Sequence, residues 1–126
     1  MEINEVTGAI IDIAFQIHNT LGPGLFESVY EEIMYLEFIA VGFKVERQKN
    51  IEVYWKGRLV PGIAFKADFV INDSVIIELK SIETLAPVHF KQVITYLKLT
   101  KIKVGLLINF NEKLIKDGIH RIVNNY

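Results

Sequence analysis

Three observations predict an α/β fold, a mixed β-sheet flanked by helices in the order α-α-β-β-β-α-β-α. The chain opens with two runs of apolar residues at helical spacing. Its middle alternates apolar and polar residues between turn signals. Its last third reads as a helix, an apolar strand and a short closing helix.

The first run carries Ile3, Val6, Ile10, Ile13, Ala14, Ile17 and Leu21, and Leu21-Gly22-Pro23-Gly24 breaks it. Phe26 to Ala40 is a second helical pattern, with Gly42 placed to end it. Strands are predicted over Val45 to Tyr54, Ile63 to Ile71 and Val75 to Ser81, with a turn at Lys56-Gly57. Pro87 starts a third helix that runs to about Thr100. Lys103 to Phe110, with VGLLINF, reads as a buried strand, and Ile115 to Val123 as a short helix interrupted near Gly118.

A length of 126 residues with 51% hydrophobic content suits one domain with a real core, and we read residues 1–126 as such. No cysteine is present, so disulfide frameworks and thiolate metal sites are excluded. The first residues carry acids rather than the basic region of a signal peptide. No apolar run approaches the length of a membrane span. These features read as a soluble cytoplasmic protein without membrane association. Net charge is only −1, yet residues 1–42 hold seven acids and no Lys or Arg, while all fourteen basic residues follow. Either the C-terminal part has a basic face, or charges on solvated faces happen to segregate.

The hairpin around Asn72-Asp73 has a predictable register. Odd positions are apolar before it (Ile63, Phe65, Ala67, Phe69, Ile71) and after it (Val75, Ile77, Leu79). If both sets face one core, odd must pair with odd. A two-residue loop fails this condition. A three-residue loop, 72–74, pairs Ile71 with Val75 and sets Asp68 opposite Glu78, with Cβ atoms about 5 Å apart. Lys80 follows on the same face.

Two opposed carboxylates repel, and one pKa rises unless a cation intervenes. Lys80 can be that cation in a solvated surface cluster. Alternatively the carboxylates bind Mg²⁺ or Mn²⁺, hard ions that take oxygen ligands, water and substrate phosphate. The residue types leave both readings open. Elsewhere, His18 is a candidate metal or phosphate contact or a structural hydrogen-bonding residue, and Tyr30 a site or a core residue. His89, Gln92 and Tyr96 share one face of the third helix at spacings of three and four. Lys91, Lys98, Lys101 and Lys103 lie in a stretch with no acid between Glu83 and Glu112, which suits phosphate contacts. Trp55 and Tyr54 beside the turn can stack on a base or cap a sheet edge.

Asp68 followed by Glu78-Leu79-Lys80 resembles the D…ExK signature of the PD-(D/E)XK nuclease superfamily. Ala67 stands where that signature often has proline. Gly24, Glu27 and Tyr30, within HNTLGPGLFESVY, and the tail LTKIKVGLLINFNEKLIKDGIHRIVN are similar to the GxxExxY proteins of that superfamily. The resemblance implies a restriction-endonuclease-like core and a Mg²⁺- or Mn²⁺-dependent nuclease. It implies that Asp68 and Glu78 bind metal, with the Leu79 carbonyl as a further ligand. Lys80 would position or polarise the attacking water, and Glu27 would add an acid near the metal. Gln92 and Tyr96 resemble a QxxxY pair of exonuclease-type members. In this reading His18, Tyr30, His89, Gln92 and Tyr96 contact substrate. The partner is nucleic acid, DNA ahead of RNA, and a homodimer is a reasonable expectation for cutting two strands. A catalytically silent nuclease-like module that binds nucleic acid or a partner protein is the alternative.

Overall fold

A computed structural model describes all residues from Met1 to Tyr126. Helices α1 (Ile3–Leu21) and α2 (Glu27–Ala40) are followed by strands β1 (Val45–Trp55), β2 (Arg58–Ile71) and β3 (Val75–Lys80). Helix α3 (Pro87–Thr100), strand β4 (Val104–Asn109), a 3-10 turn (Ile115–Gly118) and strand β5 (Ile119–Val123) complete the chain. The α/β class and the element order hold, and the closing segment differs. Only its first turn is helical, and a fifth strand follows. Gly118 explains the change: a Cβ there would come within 2.3 Å of the Asn109 carbonyl oxygen. The bare glycine lets the turn lie on β4 and release the chain along its edge. Ile119 to Val123 then pair antiparallel with β4.

The sheet has the order β1-β2-β3-β4-β5. Neighbours are antiparallel except β3 and β4, which are parallel and joined by α3 as the crossover. Hydrophobic residues on both faces account for the continuous burial of β4. On one face Phe69, Ile71, Ile77 and Leu79 pack with α1 and α2 through Ile10, Tyr30, Met34 and Phe38. On the other, Ile51, Val70, Ile76 and Leu107 pack against Val93, Tyr96 and Leu97 of α3. At Gly105 an added Cβ would meet Val93 Cγ1 at 2.7 Å, so α3 rests directly on the β4 backbone.

Both turns follow from their residues. Lys56 and Gly57 have φ of 48° and 79° between the paired Trp55 and Arg58, as the tight hairpin turn requires. Asn72 and Asp73 have φ of 52° and 55°, and Ile71 pairs with Val75 across the three-residue loop. The register predicted for this hairpin is the one observed. Its facing is corrected in one respect. Phe69 and Ile71 enter the larger core, whereas Phe65 and Ala67 pack on the α3 side. The alternation therefore changes phase at Asp68. Opposite it, Gln48 has a φ of 50° and lies between the paired residues Arg47 and Lys49. A left-handed residue in β1 breaks the regular pleat there.

β1 and β2 also run beyond the rest of the sheet. β3 pairs with β2 only from Phe69 to Ile71, so the distal part of the β1–β2 hairpin projects as a two-stranded arm.

Gly105→Ala should destabilise the fold by about 1–3 kcal/mol, since an overpacked core must shift Val93. Urea unfolding of the two proteins measures this, and an unchanged midpoint would contradict the close packing of α3.

Candidate active site at the split between two strands

The β2–β3 ladder ends at Phe69 and Ile77, one step before Asp68 and Glu78 would face each other. Side chains replace the missing ladder bonds. The Asp68 N–H donates to Glu78 Oε1 at 2.8 Å, and the Leu79 N–H donates to Asp68 Oδ2 at 2.8 Å. Each carboxylate thus holds the other strand's backbone. Both residues are buried, Asp68 9% and Glu78 4% exposed.

Burial dominates their titration. Desolvation pushes Glu78 up to about 8, the negative charge of Asp68 adds to the rise, and the Asp68 N–H and Lys80 oppose it. Asp68 is also raised, first by burial, against the lowering effects of the Leu79 N–H and Gln48. Glu27, at the first turn of α2, is raised by burial and then by Asp68 and Glu31, while Lys80 lowers it. One cation, Lys80, therefore faces three acids from three elements.

The loop before α2 is fixed by two hydroxyls. Tyr30 is fully buried, stacked on Phe110 at 4.3 Å, and its OH donates to the Gly22 carbonyl at 2.5 Å. The Leu25 N–H donates back to the Tyr30 OH at 3.3 Å. Ser81 Oγ donates to the Leu25 carbonyl at 2.5 Å, tying this loop to the end of β3. Gly24 takes a φ of 93°, which a side chain would resist. Gly24 and Tyr30 thereby set the position of Glu27. Tyr30 contributes through this support, from inside the core.

On the α3 side, Lys80 lines a groove of about 480 Å³ with Phe65, His89, Lys91, Gln92 and Tyr96. Gln92 Nε2 donates to the Tyr96 OH at 2.9 Å, and the Tyr96 pKa is raised by burial and then by the charge of Glu78. The Ala86 N–H donates to His89 Nδ1 at 2.8 Å, so neutral His89 carries its proton on Nε2. His18 is engaged elsewhere: its Nε2–H donates to the Glu112 carbonyl at 2.7 Å, bracing α1 against the loop after β4. No hydrogen bond joins it to the carboxylates.

Sequence reasoning missed several participants. Gln48 Nε2 donates to both Asp68 Oδ1, at 3.1 Å, and Glu31 Oε1, at 2.6 Å. Arg47 Nε donates to Glu31 Oε2 at 2.8 Å, so β1 and α2 are clamped together beside Asp68. Buried Asn109 accepts the Ile82 N–H and donates to the Ile82 carbonyl, holding the chain just after Lys80. Counting back from the Trp55–Arg58 turn would set Gln48 opposite Phe65; the register shift between Glu52 and Tyr54 brings it opposite Asp68 instead.

The donor set fits a hard divalent ion. It offers two buried carboxylates that repel each other, adjacent main-chain oxygen and no sulfur. No three His, Asp or Glu side chains converge as a complete cage, so an ion held here would need water or another ligand to complete its shell. Every buried side-chain nitrogen and oxygen has a partner. Glu78 Oε2, without a protein donor, therefore keeps access to solvent.

No curated protein and no solved structure matched the chain when it was compared with them. A family model described as the PD-(D/E)XK nuclease superfamily matches residues 4–122. With Asp68, Glu78 and Lys80 assembled at the split between β2 and β3, the chain belongs to the PD-(D/E)XK nuclease superfamily.

Proposed function

We propose that the protein is a Mg²⁺- or Mn²⁺-dependent nuclease of the GxxExxY group, acting on DNA ahead of RNA. The observation that carries this reading is the exchange of backbone bonds between Asp68 and Glu78 beside Lys80. Two carboxylates at the same strand-end, each with an oxygen held by an N–H, are preorganised without a cage. A bound divalent ion would supply Lewis acidity, charge neutralisation at the phosphate and a more acidic water. Asp68 and Glu78 would hold it, with the Leu79 carbonyl beside them. Lys80 would orient the attacking water and balance charge on the phosphate oxygens. Glu27, whose carboxyl burial holds above the ordinary range, would exchange protons with that water or with the leaving oxygen. His89, Gln92 and Tyr96 would seat the adjoining nucleotide in the groove.

A silent module draws support from a specific observation too: the protein's own N–H groups already satisfy part of both carboxylates, and no third ligating side chain joins them. Calorimetric titration with Mn²⁺ separates the readings. The nuclease requires binding that is lost in both Asp68→Asn and Glu78→Gln. Absence of such binding would favour the silent module.

Lys80→Ala should reduce Mn²⁺-dependent hydrolysis of DNA on the order of 100-fold or more while the protein stays folded. Equal rates for wild type and variant would place the activity elsewhere.

The raised Glu78 pKa has a defined sign in stability. Between the ordinary value of 4.5 and about 8 the folded state holds a proton that the unfolded chain has released. Metal-free protein should therefore lose stability as pH rises through that window. Glu78→Gln should flatten the loss, and saturating Mn²⁺ should oppose it with proton release. Thermal unfolding from pH 5 to pH 8 reads all three. A wild-type midpoint that climbs across this range in the absence of metal would refute the assignment.

A further inference from the structure

The β1–β2 arm ends in a surface that the catalytic reading does not use. Trp55 and Arg58 are directly opposed at its tip and so share one face. Lys56 Nζ lies 5.7 Å from the centre of the Trp55 ring. Trp55 is 69% exposed, although an indole of this size is ordinarily covered. One aromatic ring and two cations thus stand together in solvent. Tyr54, Leu59 and Glu52 occupy the other face, where the Tyr54 OH donates to Glu52 Oε2 at 2.8 Å. The single acid of the distal arm is turned away from the cationic face.

That face continues the face of the groove. Ile51 packs on α3, and alternation along β1 puts Val53 and Trp55 on the same side. Ile51 pairs with Phe65, which lines the groove together with Lys80. Trp55 lies four residues beyond Ile51, about 13 Å along the strand. A chain seated beside Lys80 and leaving past Phe65 meets the ring and cations of the arm.

We propose that the arm is a grip for single-stranded nucleic acid, with an unstacked base on Trp55 and phosphates on Lys56 and Arg58. Duplex bases are stacked on one another, so a ring presented in this way selects an unpaired strand. The cations follow the backbone and the indole accepts any base. The inference rests on the nuclease reading for the strand's path through the groove, and its test is independent of cleavage.

Binding of a fluorescein-labelled oligothymidylate is measured by anisotropy in EDTA, where metal-dependent cutting cannot occur. Trp55→Ala should weaken binding about tenfold with an unchanged salt slope. The double variant Lys56→Glu, Arg58→Glu should weaken binding and lower the slope of log affinity against log salt by about 1.4, two phosphate contacts' worth. Matching circular dichroism spectra establish that these exposed substitutions leave the fold intact. Wild-type affinity in both variants would overturn the grip, even if the protein cuts DNA with Mn²⁺. Variants that bind normally but sediment as monomers where wild type is a dimer would overturn it too, making the arm a self-association surface. Lost binding in the variants alongside a wild type that never cuts would sustain the grip and sink the nuclease.

Discussion

The exchange of hydrogen bonds between Asp68 and Glu78 is the constraint from which the site follows. Two neighbouring strands part, and the backbone groups left over are satisfied by carboxylates. Buried N–H groups must find acceptors, and here they find carboxyl oxygens. The same bonds that finish the sheet fix the two acids, and the cost of burying like charges appears as the raised pKa of both. Lys80, next along β3, offsets that cost from within the same strand. Structure and electrostatics are thus coupled at one point. A change that loosened the strand-end would disorder the acids, and one that removed an acid would leave an amide unsatisfied.

Around this point the supports are backbone contacts more than side-chain pairs. Tyr30 and Ser81 hold carbonyls of the Gly22–Leu25 loop, and Asn109 holds both polar groups of Ile82. These bonds set the heights at which Glu27 and Lys80 leave their elements. The Arg47–Glu31 pair and Gln48 close the remaining side, where partial burial makes an ion pair more than a surface ornament. Gln48 has a left-handed backbone and bonds to two acids at once, so local strain and site geometry coincide there.

How much of this was legible in the sequence varied with the range of the interaction. Helix periods located α1, α2 and α3, because each buries one face against the sheet. The 72–74 loop and the pairing of Ile71 with Val75 followed from alternation, a local rule acting across a short turn, which brings Asp68 and Glu78 to the strand-end just past the last paired residues. Phe65 and Ala67 defeated the same rule, since the phase change at Asp68 depends on Gln48, far away in sequence. In Ile119–Val123 the apolar residues Ile119, Ile122 and Val123 sit at helical spacing in a segment too short to fix a period; the free edge of β4 makes it a strand. Gln48, Glu31 and Asn109 carry no sequence signal of their own, being polar residues made important by where long-range pairing puts them.

The two faces of the sheet have a consequence for how such a protein can change. Glu27 is held by the core of α1 and α2, whereas His89, Gln92 and Tyr96 belong to the helix packed on the opposite face. The sheet separates these two packing systems, so substitutions in one need not be felt in the other. The lining of the groove is then free to drift while the acid that faces Lys80 keeps its place. A small chain built this way joins two nearly independent packing systems at one strand-end.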